Sequence, residues 1–258
     1  MEKEKSVLGI DIGGTGIKLG ITDITTGELL SERHKFLTPQ PSTPKAIIKS
    51  IQKAVEEHFP NYDGIIGCGF PAIIKDGTAH SATNVDQGWY QLNIEEYFQS
   101  KLKMPVYVAN DADVAGIAEF NFGKTEMDGS DMIIFLTVGT GIGSAIFYKG
   151  TMIPNTELGH LLYKDDIYER YISNVVRKKE DLNWEDWGKR FDGYLKHLDE
   201  LFSPDLVIIG GGISKKFSKY AEYFKVDYKV VPASLQNEAG VIGASMYAYG
   251  QNLQKKVL

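Results

Sequence analysis

Asp11-Ile12-Gly13-Gly14-Thr15-Gly16-Ile17-Lys18 and Thr137-Val138-Gly139-Thr140-Gly141-Ile142-Gly143 are one Gly/Thr-rich phrase written twice. Apolar runs flank each copy, residues 7–10 and 17–21 around the first and residues 132–136 and 145–148 around the second. Each copy therefore reads as strand, tight turn, strand. Glycines without a Cβ let backbone N–H groups converge on phosphate oxygens, and threonine hydroxyls add further donors. One such hairpin is usually only a hairpin, but two of them point to a duplicated fold that grips a polyanion from both sides. Neither copy fits G-x-x-x-x-G-K-[ST], and Ser144 stands where G-x-G-x-x-G needs its third glycine. A P-loop and a dinucleotide fingerprint are thereby excluded.

Working outward, the first hairpin is followed by a turn at Thr25-Thr26-Gly27, a third strand, and a helix opened by Ser42-Thr43-Pro44, with Ile47, Ile51 and Val55 at helical spacing. A strand is expected at residues 64–70. The apolar run 105–109 ends in Asn110-Asp111-Ala112-Asp113 and passes into a helix through Ala115, Ile117, Ala118 and Phe120. Polar residues at a strand end mark a site in α/β folds, and by position Asp113 is the better N-cap candidate of the two aspartates. The second half repeats the plan, with helices expected at residues 168–176 and 184–201, a strand at 206–209, and helices at Ser214 and Ala239. Gly210-Gly211-Gly212 sits between that strand and the next helix, where backbone can approach a phosphate or a flat ring, or simply turn. The whole reads as α/β.

With 258 residues, 43% of them hydrophobic and 24% charged, the chain has the composition of an ordinary globular protein of one large or two modest domains. A net charge of -6 argues against a nucleic-acid partner. No run approaches the roughly 20 apolar residues that cross a bilayer. Met1-Glu2-Lys3-Glu4-Lys5 has no signal-peptide core, so a cytoplasmic location is expected. The sole cysteine, Cys68, lies in an apolar run and reads as a buried core residue.

Taken together, the phrase at residues 11–18, Asn110 to Asp113, Glu157-Leu158-Gly159-His160 and Gly210-Gly211-Gly212-Ile213-Ser214 resemble the ROK family of sugar kinases. Thr38-Pro39-Gln40-Pro41, Asn84-Val85-Asp86 with Trp89, and Leu182-Asn183-Trp184 with Trp187 make the likeness strongest to its polyphosphate glucokinase branch, in order along nearly the whole chain. The resemblance implies a two-lobed actin-like ATPase (ribonuclease H-like) fold with a central cleft. The lobes would be residues 1–113 and 114–238, with a C-terminal helix at 239–258 packing back on the first.

It further implies transfer of a phosphoryl group to the 6-hydroxyl of glucose, with Asp111 as general base. Asn84, Asn110, Asp111, Glu157 and His160 would hold the sugar, whose hydroxyl array suits amide, carboxylate and imidazole partners. The donor's phosphates would meet Asp11, Gly13, Gly14, Thr15, Gly16 and Lys18 in the first loop and Thr137, Gly139, Thr140 and Gly141 in the second. Gly211, Gly212, Lys215 and Lys216 would complete the donor side, and Asp11 would sit near Mg2+, through water. A basic track of Lys215, Lys216, Lys219, Arg177, Lys178 and Lys179 suits polyphosphate, whereas a slot beside Gly211 and Gly212 suits the adenine of ATP. Both donors stay open. Residues 161–176 contain no cysteine, so the structural zinc of many family members is not expected. A homodimer is implied.

Two alternatives remain. One is the same fold acting on another hexose with ATP, since fold does not set substrate. The other is a sugar-sensing regulator without catalysis. The early start of the first loop leaves no room for the DNA-binding domain such regulators carry, and Asp111 is present.

Overall fold

The first Gly/Thr phrase folds into an antiparallel hairpin in which β1 (Ser6–Ile12) pairs with β2 (Gly16–Asp23) and Asp11 faces Lys18. β3 (His34–Leu37) adds antiparallel to the outer edge of β2, and β4 (Ile66–Phe70) lies parallel to β1. After a short hairpin of β5 (Ile74–Lys75) and β6 (Thr78–Ala79), β7 (Val106–Asn110) runs parallel to β4, giving the order β3-β2-β1-β4-β7. Three helices accompany this sheet: α1 (Pro44–His58), α2 (Ile94–Leu102) and α3 (Asp111–Phe122). Thr43 caps α1 by accepting the Ala46 N–H at 3.3 Å, Pro44 fits the first turn, and Ile47, Ile51 and Val55 form its buried stripe. β4 and β7 are buried at every residue, the pattern of parallel strands covered on both faces.

The second phrase repeats the first. β8 (Met132–Val138) pairs antiparallel with β9 (Ile142–Tyr148), and β10 (Thr151–Ile153) adds to its outer edge. A short hairpin of β11 (Leu162–Tyr163) and β12 (Asp166–Ile167) leads into α4 (Glu169–Ile172), α5 (Asn174–Lys179) and α6 (Trp184–Phe202). β13 (Leu206–Gly210) and β14 (Lys229–Pro232) then add in parallel, and the order β10-β9-β8-β13-β14 is that of the first sheet. The duplication seen in two short phrases thus extends to the topology of two whole sheets.

This computed structural model describes residues 5–83, 85–127 and 130–257. The chain divides into one unit of residues 1–122 with 238–258 and another of residues 123–237. α7 (Ala239–Val257) belongs to the first unit, where it packs against α3, β1 and β4. The break after Phe122, rather than after Asp113, keeps α3 whole beside α7. Two helices also differ from expectation. The stretch 168–176 is interrupted at Ser173, whose extended backbone ends α4 and whose hydroxyl caps α5 by accepting the Val176 N–H at 3.4 Å. The helix at Ser214 is a 3-10 helix, Ser214–Lys219. Among the described residues no helix is long and apolar enough to cross a membrane.

Candidate active site

In the first unit, the end of β1 carries Asp11, whose carboxylate accepts from the Lys18 Nζ across the hairpin at 2.5 Å. The same carboxylate lies against the first turn of α7, where a Cβ built on Gly240 would stand 2.5 Å from its Cγ. Lys18 is therefore engaged by Asp11 rather than standing alone beside the loop. The loop closes through the Gly13 N–H to the Gly16 carbonyl at 3.0 Å. Thr38, just past β3, ties it down by donating its hydroxyl to the Gly13 carbonyl at 2.5 Å and its N–H to that of Thr15 at 3.4 Å. Around Gly14 there is open space.

At the end of β7 the chain turns straight into α3, and the cap is Asn110, not Asp113. The Asn110 Oδ1 accepts the N–H groups of Ala112 at 2.8 Å and Asp113 at 3.2 Å, while its Nδ2 donates to the Ala72 carbonyl at 3.1 Å. The side chain of a residue one position earlier reaches the first-turn donors because β7 runs into the helix without a loop. Asp113 is instead buried in the first turn, and Asp111 is the first helical residue. Asn84 lies outside the described residues.

In the second unit, the loop after β8 closes through the Gly139 N–H to the Gly141 carbonyl at 2.9 Å. Gly210 sits opposite Thr137 in the β13–β8 register, so the triple glycine is built beside this loop. Gly211 has φ +75°, and a Cβ there would stand 2.6 Å from the Val138 carbonyl oxygen; only glycine fits both constraints. Gly212 faces open space, and Lys215 and Lys216 are exposed just beyond. The basic stretch of α5 meets Lys219, at the end of the same 3-10 helix, over one indole: the Arg177 guanidinium lies 4.1 Å and the Lys219 Nζ 5.9 Å from the Trp184 ring centroid.

Glu157 precedes and His160 ends the short helix Leu158–His160, with Oε2 and Nδ1 3.9 Å apart. Burial pushes the Glu157 carboxyl above the ordinary glutamate range, His160 opposes that shift, and Glu169 adds to it. Ser144 staples this segment to the sheet: its hydroxyl donates to the Thr156 carbonyl at 2.7 Å and accepts the Leu158 N–H at 3.0 Å. A Cβ on Gly159 would collide with the Ile142 carbonyl, so the segment lies directly on the end of the second loop. Ser144 was visible in the sequence only as a departure from a dinucleotide fingerprint, Thr38 only within a phrase that carried the family resemblance, and Glu169 carried no signal. Glu169 accepts the Ile142 N–H at 2.8 Å. Among the described residues, no three His, Cys, Asp or Glu side chains are placed to hold a metal together. Residues 162–171 carry an aromatic stack of Tyr163, Tyr168 and Tyr171.

Residues 7–169 match the model of the ROK family. A polyphosphate glucokinase from Mycobacterium tuberculosis is 41% identical over 239 residues, which span 92% of this chain and 89% of that protein. Among solved structures, the inorganic polyphosphate/ATP-glucomannokinase from Arthrobacter sp. strain KM superposes with a TM-score of 0.90 at 40% identity, covering 95% of this chain and 99% of that one. A ROK family glucokinase from Streptomyces griseus, solved with glucose and AMPPNP, shares the fold with a TM-score of 0.81 at 23% identity, covering 95% of this chain and 99% of that one.

Proposed function

The chain belongs to the ROK family, and from that premise we propose how its residues carry the reaction. It has the actin-like ATPase fold and is a glucokinase: it transfers a phosphoryl group from inorganic polyphosphate or ATP to glucose. The observation that carries this reading is the likeness to a polyphosphate glucokinase along nearly the whole chain.

Asp111 takes the proton from the sugar 6-hydroxyl as the oxygen attacks phosphorus. Asn110 has both lone pairs of its Oδ1 and one N–H occupied by the cap, which leaves one N–H to donate to a sugar oxygen. Glu157 accepts from sugar hydroxyls, and His160, at 3.9 Å, keeps it oriented and contributes a second contact. Asn84 completes the sugar contacts. The Gly/Thr loops and Gly211-Gly212 offer backbone N–H groups to the donor's phosphates, since phosphoryl transfer asks the protein mainly for positioning and charge stabilisation. Mg2+ fits here as an ion that keeps several waters and takes one or two carboxylates with substrate phosphates. Asp11 is the carboxylate beside the first loop, and its pairing with Lys18 suits contact through water. When bound, the ion neutralises charge on the transferring phosphoryl group. A cytoplasmic homodimer belongs to the same reading, and light scattering on purified protein tests the dimer.

The first test of the reaction is glucose 6-phosphate formation with Mg2+ and either polyphosphate or ATP. Product from neither donor overturns the reading, and product only with another hexose replaces glucose. The donor side has its own test in Lys215→Ala combined with Lys216→Ala. Losing two exposed lysine–phosphate contacts of up to about 1 kcal/mol each raises KM for long polyphosphate roughly tenfold. ATP, whose chain of phosphates ends sooner, is affected less. Equal losses for both donors would contradict a dedicated polyphosphate track.

Glu157 sets a pH limit on glucose binding. Its carboxyl protonates at a higher pH than an ordinary glutamate, and a protonated carboxyl loses acceptor capacity for sugar hydroxyls. KM for glucose therefore climbs as pH falls through this raised pKa, and the limb disappears in Glu157→Gln. Stability moves oppositely: a carboxyl that binds its proton more tightly when folded lowers stability as rising pH ionises it. Measuring KM for glucose from about pH 8 down to 5 decides; a limb unchanged in Glu157→Gln removes Glu157 from the sugar site.

A further inference from the structure

Asp11, Lys18 and Lys35 form one row across three neighbouring strands. Asp11 faces Lys18 in the β1–β2 register, and Lys18 faces Lys35 in the β2–β3 register. Residues directly opposite one another on antiparallel strands send their side chains to the same face of a sheet, so all three stand on one side. The row carries one acid and two bases. Asp11 and Lys18, both mostly covered, pair at 2.5 Å, and their charges cancel. Among the described residues no carboxylate pairs with Lys35, which is exposed on the edge strand.

The Lys35 stem lies across the hairpin toward the first Gly/Thr loop. Gly16, buried where the loop passes into β2, is two positions before Lys18 and so on the same face. A Cβ built on it would stand 3.0 Å from the Lys35 Cε and 3.9 Å from its Nζ, so the lysine covers the space that a larger residue would fill. The strand that carries Lys35 also holds the loop, since Thr38, directly after β3, bonds the carbonyls of Gly13 and Thr15. Backbone N–H groups orient phosphate oxygens but bring no full charge to them, whereas a lysine ammonium is a compact point charge. Lys18, the loop's own lysine, is already engaged by Asp11. We propose that Lys35 contacts the donor's phosphates at the first Gly/Thr loop and supplies the positive charge there. This rests on the donor-side reading of that loop given above. Phosphates nearest the loop are common to ATP and polyphosphate, so Lys35 serves both donors, unlike Lys215 and Lys216, whose loss weighs on long polyphosphate.

Lys35→Met keeps an unbranched stem over Gly16 and removes the charge, while Lys35→Arg keeps the charge. In Lys35→Met, KM for ATP and KM for polyphosphate both rise about tenfold, as expected for a lost hydrogen bond between charged groups. The salt dependence of both flattens, because an exposed cation is screened by salt. Thermal stability is unchanged, as for most surface substitutions, and Lys35→Arg keeps most of the donor affinity. Calorimetric titration with tripolyphosphate and Mg2+, without glucose, reads the same contact and shows binding about tenfold weaker in Lys35→Met. Donor KM values in Lys35→Met within about twofold of wild type, a rise confined to one donor, a glucose KM that rises as far as the donor KM, or a Lys35→Arg variant as impaired as Lys35→Met would each overturn the proposal. The titration needs no turnover. A wild-type protein that binds tripolyphosphate through Lys35 yet phosphorylates no sugar sinks the kinase reading and keeps this contact. An active kinase whose Lys35→Met variant binds tripolyphosphate as tightly as wild type does the reverse.

Discussion

Asp111→Asn lowers kcat for glucose phosphorylation by about a hundred- to ten-thousandfold, the range a general base contributes, and leaves glucose affinity within a few-fold. The corner between β7 and α3 sets this outcome. Asn110 caps the helix with two N–H contacts and grips the Ala72 carbonyl, so the backbone of the next residue is fixed from both sides. Asp111 begins the helix, so its carboxylate stands at the end of β7 where the chain turns. An amide in the same place still hydrogen-bonds a sugar hydroxyl but cannot take its proton. Binding therefore survives and chemistry does not. Steady-state rates of glucose 6-phosphate formation give the first half of the result and calorimetric titration with glucose the second. A variant that retains more than about a tenth of wild-type kcat would show that the hydroxyl loses its proton without Asp111.

Much of this corner was legible in the sequence, and the part that was not has a clear cause. The apolar run ending in Asn110-Asp111-Ala112-Asp113 announced the passage of β7 into α3, and its polar residues made that corner a candidate site with Asp111 as the proposed base. Which residue caps the helix was not legible, because Asn110 and Asp113 both accept readily and only the immediate passage of strand into helix selects Asn110. The hairpins were readable because each Gly/Thr phrase is framed by apolar runs, and the repeated phrase anticipated the repeated sheet order. The break at Ser173 was hidden, since serine is tolerated within helices and also favoured at their caps. Glu169 and Ser144 were out of reach for a different reason. Their partners, the Ile142 N–H and the Thr156 carbonyl, lie 27 and 12 positions away, and nothing local announces them.

Gly67→Ala, one added methyl, destabilises the protein by about 3 kcal/mol or more. Gly9 and Gly67 are paired neighbours on β1 and β4, and α7 lies directly on both. A Cβ on Gly67 would overlap the Ala244 carbonyl, and one on Gly9 would overlap that of Val241. On its other side α7 is just as close to α3, where a Cβ on Gly243 would overlap the Val114 carbonyl. All of these obstacles are backbone atoms, so no rotamer change relieves them, and the helix is held by its own hydrogen bonds and by Ser245, whose hydroxyl donates to the Val7 carbonyl at 3.1 Å. Relief requires moving α7 bodily, and with it the Gly240 turn that abuts the Asp11 carboxylate. With total stabilities of roughly 5–15 kcal/mol, such a cost lowers Tm by about 10 °C in a protein of this size. Gly250→Ala in the same helix is the matched control: nothing lies within 4 Å of the added methyl, so replacing a helical glycine there raises stability by up to about 1 kcal/mol. Opposite signs for the two substitutions, measured by thermal denaturation, are expected. A Gly67→Ala variant as stable as wild type would mean that α7 does not sit against β4 as closely as the backbone places it.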